Sequence, residues 1–303
     1  MFNVLSETKE TYHPLGESLV KKFSNLPPEI EELKKQYLKG EIARHPYQYC
    51  TLGVNTDEKL KAKSLSPNYD YGKKTLKAYS EKMYPLCLVI EEKLGFFKIF
   101  SEEILPEYEE LCQENQKHLN KNVYDALKSF WDLEENIELF LMPNILATGG
   151  SFGLFRKNTM YSITSPALTK KNSREFTQQN LIFNSVHEFS HSIFKTKLLD
   201  LGKFAVFTEK AQRVKIPEKL LEKHKKPEIY TEEAFVKALT HFILVNLYRP
   251  FLSLKESEEK EREILNKIVN DGYIHAEVFY EELKKGKDPI GGYEKVLGEN
   301  SYA

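Results

Sequence analysis

The chain has 303 residues, 41% of them hydrophobic and 29% charged, with 44 Lys and Arg against 45 Asp and Glu. That length supports one large domain or two intimate ones with ample core, and the balanced charge excludes a basic surface selected for nucleic acid. No apolar run approaches the length of a membrane span, and Cys50, Cys87 and Cys112 are odd in number and too far apart for a disulfide framework or a metal knuckle.

The first residues, Met1 to Glu7, hold neither a basic nor an apolar leader segment, which predicts a cytoplasmic location, or an exported one if a leader precedes them. Residues 1–130 are predicted to be mainly helical. A short helix follows His13-Pro14 to about Phe23, and Pro27-Pro28 opens a second from Glu29 to Leu38. Residues 45–73, with their Pro and Gly, read as irregular connection. Helical spacing resumes from about Lys74 to Trp131, where Pro85 is expected to break or kink the run and Pro106 to initiate a new helix. His13, His45 and His118 are isolated and read as surface or packing residues. Glu10 and His13 spell one Glu-x-x-His of the kind a di-iron bundle pairs, but Pro14 follows at once and rules that reading out.

The pattern changes near residue 134. Asn136 to Met142 is short and apolar and is stopped by Pro143, as a buried strand would be. The turn from Ala147 to Gly153 is rich in glycine but lacks the spacing of a phosphate cradle. Phe152–Phe155 and Met160–Thr164 then flank Arg156-Lys157-Asn158 as a hairpin. The expected fold is α+β and predominantly helical, with a small sheet. It divides into a helical region at 1–133 and a second region at 134–303, or forms one continuous domain.

The most informative stretch runs from Asn184 to Phe194 and contains His187-Glu188-Phe189-Ser190-His191. On a helix, residues four apart face nearly the same way, so both imidazoles can meet one ion. Two neutral imidazoles, a third protein ligand and a water suit Zn²⁺, and Glu188 beside the first ligand can take a proton from that water. The predicted helix is capped near Asn172 and runs to about Lys197 through Ile182, Phe183, Val186, Ile193 and Phe194, a setting in which unpartnered His and Glu would be costly. Residues 200–229 read as a covering element. A long helix is expected from Tyr230 to Pro250 with Thr231 as its cap, followed by a charged helix from Glu256 to Val269 and a peripheral tail after Gly286. No His-x-x-Gly-x-x-His continuation follows His191, so the third ligand falls to Glu232 or Glu233, between which helical geometry does not decide.

These features resemble the gluzincins, zinc metallopeptidases with His-Glu-x-x-His on one helix and a Glu ligand on a later one. More narrowly, the chain looks like a bacterial group of candidate peptidases classed as a domain of unknown function. The resemblance rests on NILATGGSFG, VHEFSHSIF, EEAFVKAL and DGYIHAE, across about residues 137–277. It implies a zincin-like region with zinc on His187, His191 and Glu233, since the Glu helix of such proteins reads Glu, three apolar positions, a basic residue (here Lys237) and Ala. Lys237 stands where the best-known gluzincins place an Asp that orients a ligand histidine. The implied activity is hydrolysis of a peptide or protein substrate, with Glu188 as general base and the oxyanion steadied by Tyr273, Tyr230 or, by preference, His275. The alternative is a catalytically silent metal- or peptide-binding protein. The sheet edge within Phe152–Thr164 is expected to hold an extended peptide.

Overall fold

The computed structural model describes residues 13–22, 25–38, 54–56, 62–65, 81, 84–119, 121–145, 151–156, 158–169, 173–286 and 288–298. In chain order its elements are α1 (Pro14–Lys22), α2 (Pro28–Leu38), β1 (Val54–Thr56), β2 (Ala62–Leu65), α3 (Tyr84–Leu94) and α4 (Phe96–Ile99). A π-helical turn (Phe100–Ile104) leads into α5 (Leu105–His118), followed by α6 (Lys121–Trp131), β3 (Glu138–Pro143), β4 (Phe152–Arg156), β5 (Thr159–Thr164), β6 (Ala167–Leu168) and β7 (Arg174–Glu175). The remainder is helical: α7 (Gln178–Asp200), α8 (Phe204–Ala211), α9 (Pro227–Tyr248), α10 (Leu254–Asn270), α11 (Ala276–Lys284) and α12 (Pro289–Gly298). The fold is therefore predominantly helical with small sheets. None of the described helices is long and apolar enough to cross a membrane.

Packing groups the chain into two units, Met1–His118 with Phe140–Leu181, and Leu119–Leu139 with Ile182–Ala303. This differs from the chain-order division at 133/134. The helix α6 packs against α9 and joins the second unit, while the strands from Phe140 onward join the first.

In the first unit, Leu15, Leu19, Ile104 and Ile145 form a core with Phe96, Phe100, Tyr108 and Phe176 against it. Pro85 lies in the first turn of α3, where a proline costs no hydrogen bond. Pro106 lies in the first turn of α5, and the chain reaches it through the wider π turn, which accommodates a residue that cannot donate to the preceding carbonyls. The stretch expected to be irregular contains the antiparallel pair β1–β2, with Val54 opposite Leu65. Its remainder, Leu76, Met83 and the Gly149-Gly150 turn lie outside the described residues. The hairpin at 152–164 forms as expected, Phe152 opposite Ile163 and Arg156 opposite Thr159. In the order β3-β5-β4, β5 is central and β4 is an edge strand.

The second unit is organised around α9, which packs against α6, α8, α10 and α11. Phe235 on α9 meets Phe194 of α7 at 4.9 Å, Phe279 of α11 at 5.4 Å and Tyr293 of α12 at 5.0 Å between ring centroids. Such ring contacts add to the burial of large apolar area. The segment expected to be a peripheral tail is thus part of the core, because Tyr293 carries α12 into this aromatic cluster and is almost fully buried. Two helix starts also shift. The helix α7 begins at Gln178, with Thr177 Oγ1 accepting from the Asn180 amide, because Arg174–Glu175 is occupied pairing with Ala167–Leu168. The helix α9 begins at Pro227, and Thr231 lies inside it, its hydroxyl donating back to the Pro227 carbonyl.

Candidate metal centre

His187 and His191 lie one turn apart on α7, with rings edge-on and 4.8 Å between centroids. Their Nε2 atoms are 3.2 Å apart. Glu233, from α9, brings Oε2 to 3.1 Å from His191 Nε2 and Oε1 to 3.5 Å from His187 Nε2. Among the described residues this is the one group of three or more His, Cys, Asp or Glu whose ligand atoms all lie within 4.8 Å of one another.

The far side of each ring explains why the near sides converge. His191 Nδ1–H donates to Glu232 Oε1 at 2.6 Å, and Lys195 Nζ donates to the same oxygen at 3.0 Å. The Thr240 hydroxyl donates to the Val236 carbonyl at 2.7 Å, which leaves its oxygen to accept from His187 Nδ1–H at 3.4 Å. Both rings therefore hold their proton on Nδ1 and turn Nε2 toward the same point. Two nitrogen lone pairs and a carboxylate at these separations repel unless a cation or a proton lies among them.

The three residues could hold a metal ion. Donors bonded at about 2.0–2.2 Å to a tetrahedral ion lie about 3.3–3.5 Å from one another. His191 Nε2 lies 3.2 Å from His187 Nε2 and 3.1 Å from Glu233 Oε2, while His187 Nε2 is 3.5 Å from the other carboxylate oxygen, Oε1, and one ligand atom from each of the three lies within 4.8 Å of the other two.

The electrostatics follow the same arrangement. Burial pulls the His191 imidazole down, but Glu232 and Glu233 together outweigh it and raise its pKa to about 9. Burial dominates at His187, which falls to about 4 despite Glu233. Burial would raise Glu233, yet His187 and His191 hold it well below the usual carboxylate range. Glu188 is buried beside His187, and desolvation lifts it to about 7 against the opposing pull of His191.

Of the residues singled out in the sequence, His187, His191 and Glu233 converge, and Glu188 adjoins them in the chain. His275 immediately precedes α11 and is buried, with its Nδ1 2.7 Å from the Tyr230 hydroxyl. Lys237 links Tyr273 to the centre, with Nζ 3.2 Å from Glu233 Oε1 and 4.9 Å from the Tyr273 ring centroid. The Tyr273 hydroxyl accepts from Lys223 Nζ at 2.9 Å and donates to His224 Nε2 at 2.8 Å.

Thr240 and Lys237 follow Glu233 at helical spacing and so share its face. The spacing 233, 237, 240 was the available signal for both. Sequence reasoning missed His224 and Lys223 altogether, since the segment around them shows no periodicity that would fix a face. Glu232, the alternative third ligand, accepts from His191 Nδ1–H on the far side of that ring at 2.6 Å. Compared with known proteins, the chain matches no family model, no curated protein and no solved structure.

Proposed function

We propose that the chain is a zinc-dependent metallopeptidase whose second unit carries a zincin-like site. The observation that carries this reading is the convergence of His187 Nε2, His191 Nε2 and the Glu233 carboxylate, with one ligand atom from each within 4.8 Å of the other two, beside the buried carboxylic group of Glu188. His187, His191 and Glu233 would hold the ion, which when bound supplies Lewis acidity toward a peptide carbonyl and toward water.

The chain's own residues do the rest. Glu232 fixes His191 in the Nδ1–H tautomer, and Thr240 does the same for His187. Neither ring then needs to reorient when the site is filled. Lys195 neutralises Glu232, which lets a second carboxylate stand next to Glu233 without expelling it. Glu188 takes a proton from water at its carboxylate and passes it to the departing amine. The alternative reading, a catalytically silent metal- or peptide-binding protein, gives Glu188 no task.

The test compares wild type with Glu188→Gln. The expected result is about one equivalent of zinc in both, with cleavage of a peptide library lost by roughly 10²–10⁴-fold in the variant, because an amide does not accept the proton at neutral pH. Equal cleavage by both proteins would remove Glu188 from the chemistry. Zinc in both with cleavage by neither would favour the silent binding protein.

A further inference from the structure

We propose that Lys223, held by Tyr273, anchors a free carboxylate of the substrate, so that the site acts near the C-terminus of a peptide. Lys195 pairs with Glu232 at 3.0 Å and Lys237 with Glu233 at 3.2 Å, and Lys237 in turn lies over the ring of Tyr273, whose hydroxyl holds Lys223. Lys223 is different. Among the described residues no carboxylate pairs with it, and its ammonium donates to the phenol oxygen of Tyr273 at 2.9 Å.

A phenol oxygen that already donates to His224 is a neutral acceptor. It positions the ammonium without cancelling its charge. One of the three Lys223 N–H bonds is used by Tyr273, and the side chain is exposed, so the remaining donors are open to a ligand. Tyr273 itself is well fixed. Its ring stacks with that of Tyr230 at 6.1 Å and 8°, and Gly272 before it has a φ of 106° and lies so close to Leu220 that an added Cβ would be 3.0 Å from Leu220 Cγ. Only glycine suits both the left-handed backbone and that approach. The close fit clamps the segment carrying Lys223 and His224 against the one carrying Tyr273, and Lys219 Nζ donating to the Asn270 carbonyl at 2.8 Å adds to it.

Distance then limits where cleavage falls. From Glu233 to Lys237, to the Tyr273 ring and on to Lys223 the steps are 3.2, 4.9 and 5.5 Å. An extended peptide, at about 3.4 Å per residue, covers even the straightened path in roughly four residues. A terminal carboxylate on Lys223 therefore puts the bond at the triad within about four residues of the end. This location of the cut rests on the peptidase reading above, whereas the carboxylate anchor does not.

The experiment uses the full chain carrying Glu188→Gln, loaded with zinc, and fluorescein-tagged Ala-Leu pentapeptides in three forms. These are the free acid, the C-terminal amide, and the amide with a Glu before the last residue. Fluorescence anisotropy gives the affinities, and cleavage of the same peptides is followed separately with wild type. The expected result is about tenfold tighter binding of the free acid than of the amide, a difference lost in Lys223→Gln, restored in Lys223→Arg and reduced in Tyr273→Phe. The Glu-bearing amide separates a terminal carboxylate from an acidic side chain, and binding as tight as that of the free acid would overturn the C-terminal assignment. Equal affinity for acid and amide, a preference that survives Lys223→Gln, or no binding of the free acid would overturn the anchor. Cleavage of acid and amide alike would do so while leaving the peptidase reading intact. A Lys223-dependent preference for the acid without any cleavage would uphold the anchor and sink the peptidase reading.

Discussion

The second unit contains two clusters built from the same residue types, and their contrast shows what distinguishes a site from a brace. In the first, His187, His191 and Glu233 aim two imidazole nitrogens and a carboxylate at one point, with Glu232, Thr240, Lys195 and Lys237 behind them. In the second, His241 Nε2–H donates to the Glu261 backbone carbonyl at 2.9 Å and its ring stacks on Tyr280 at 5.1 Å. Glu261 takes Lys284 at 3.1 Å, and Glu282 takes Lys285 at 2.5 Å and Lys295 at 2.8 Å. Every carboxylate of the second cluster ends on an ammonium, and the histidine ends on a peptide oxygen. Composition is alike in the two. Convergence of lone pairs is not, and only converging lone pairs call for a cation from outside.

The most severe way to break that contrast is to remove a converging donor. In Glu233→Ala the zinc content should fall from about one equivalent to background. The affinity loss should exceed the ~10–100-fold expected for an outer partner, measured by elemental analysis and chelator competition. Glu232→Ala should lose about 10–100-fold while still binding, because His191 keeps its nitrogen but not its orientation. If the two magnitudes were exchanged, the ligand would be Glu232, and the geometry that separates the two glutamates would be misleading.

How much of this was legible beforehand depends on the range of the interaction involved. The His-Glu-x-x-His face, the hairpin and the helix of Glu233 are set by local spacing, and residue order alone exposed them. Glu233 over Glu232 needed a second helix at a definite rotation, which periodicity does not give when both neighbours suit a helix. The burial of α12 was hidden for a related reason. Its glycines suggest a loose tail, while the packing of Tyr293 with Phe194, Phe207, Phe235 and Phe279 is a property of four other elements. The start of α7 was misplaced because the short pairing of Ala167–Leu168 with Arg174–Glu175 is stabilised by its partner strand and has no signature of its own.

The second cluster sharpens the contrast from the other side. Its loss should weaken the fold and leave the metal alone. Hydrogen bonds from Lys285 and Lys295 hold the Glu282 carboxyl down at about 2, against an ordinary 4.5. A carboxyl depressed in the folded state adds stability that is complete above its unfolded pKa and disappears as pH falls toward the folded one. Wild type should therefore lose this contribution between about pH 5 and pH 2, and Glu282→Gln should lack it throughout. At pH 7 the substitution should cost about 1–2 kcal/mol by urea unfolding. The gap between the two proteins should narrow at pH 3, with zinc affinity unchanged. A gap that widens on acidification would mean that Glu282 is not the ionised partner of these lysines.

The smallest expected effect tests whether the brace can be loosened from a distance. Ser253 caps α10, its hydroxyl accepting from the Glu256 amide at 3.3 Å while the Glu256 carboxylate accepts from the Ser253 amide at 2.9 Å. This reciprocal pair satisfies two of the donors that a helix start leaves open. In Ser253→Ala the carboxylate can still reach back, so only half of the box is lost, at about 0.5–1 kcal/mol. The helix it caps carries Glu261, the acceptor of both His241 and Lys284, and fraying its first turns should reach that residue before any part of the triad. Hydrogen exchange should therefore quicken in the first turns of α10, with the zinc affinity of the full chain unchanged. A drop in zinc affinity in Ser253→Ala would show that the two clusters share a cooperative unit, and the division between brace and site would have to be redrawn around α10.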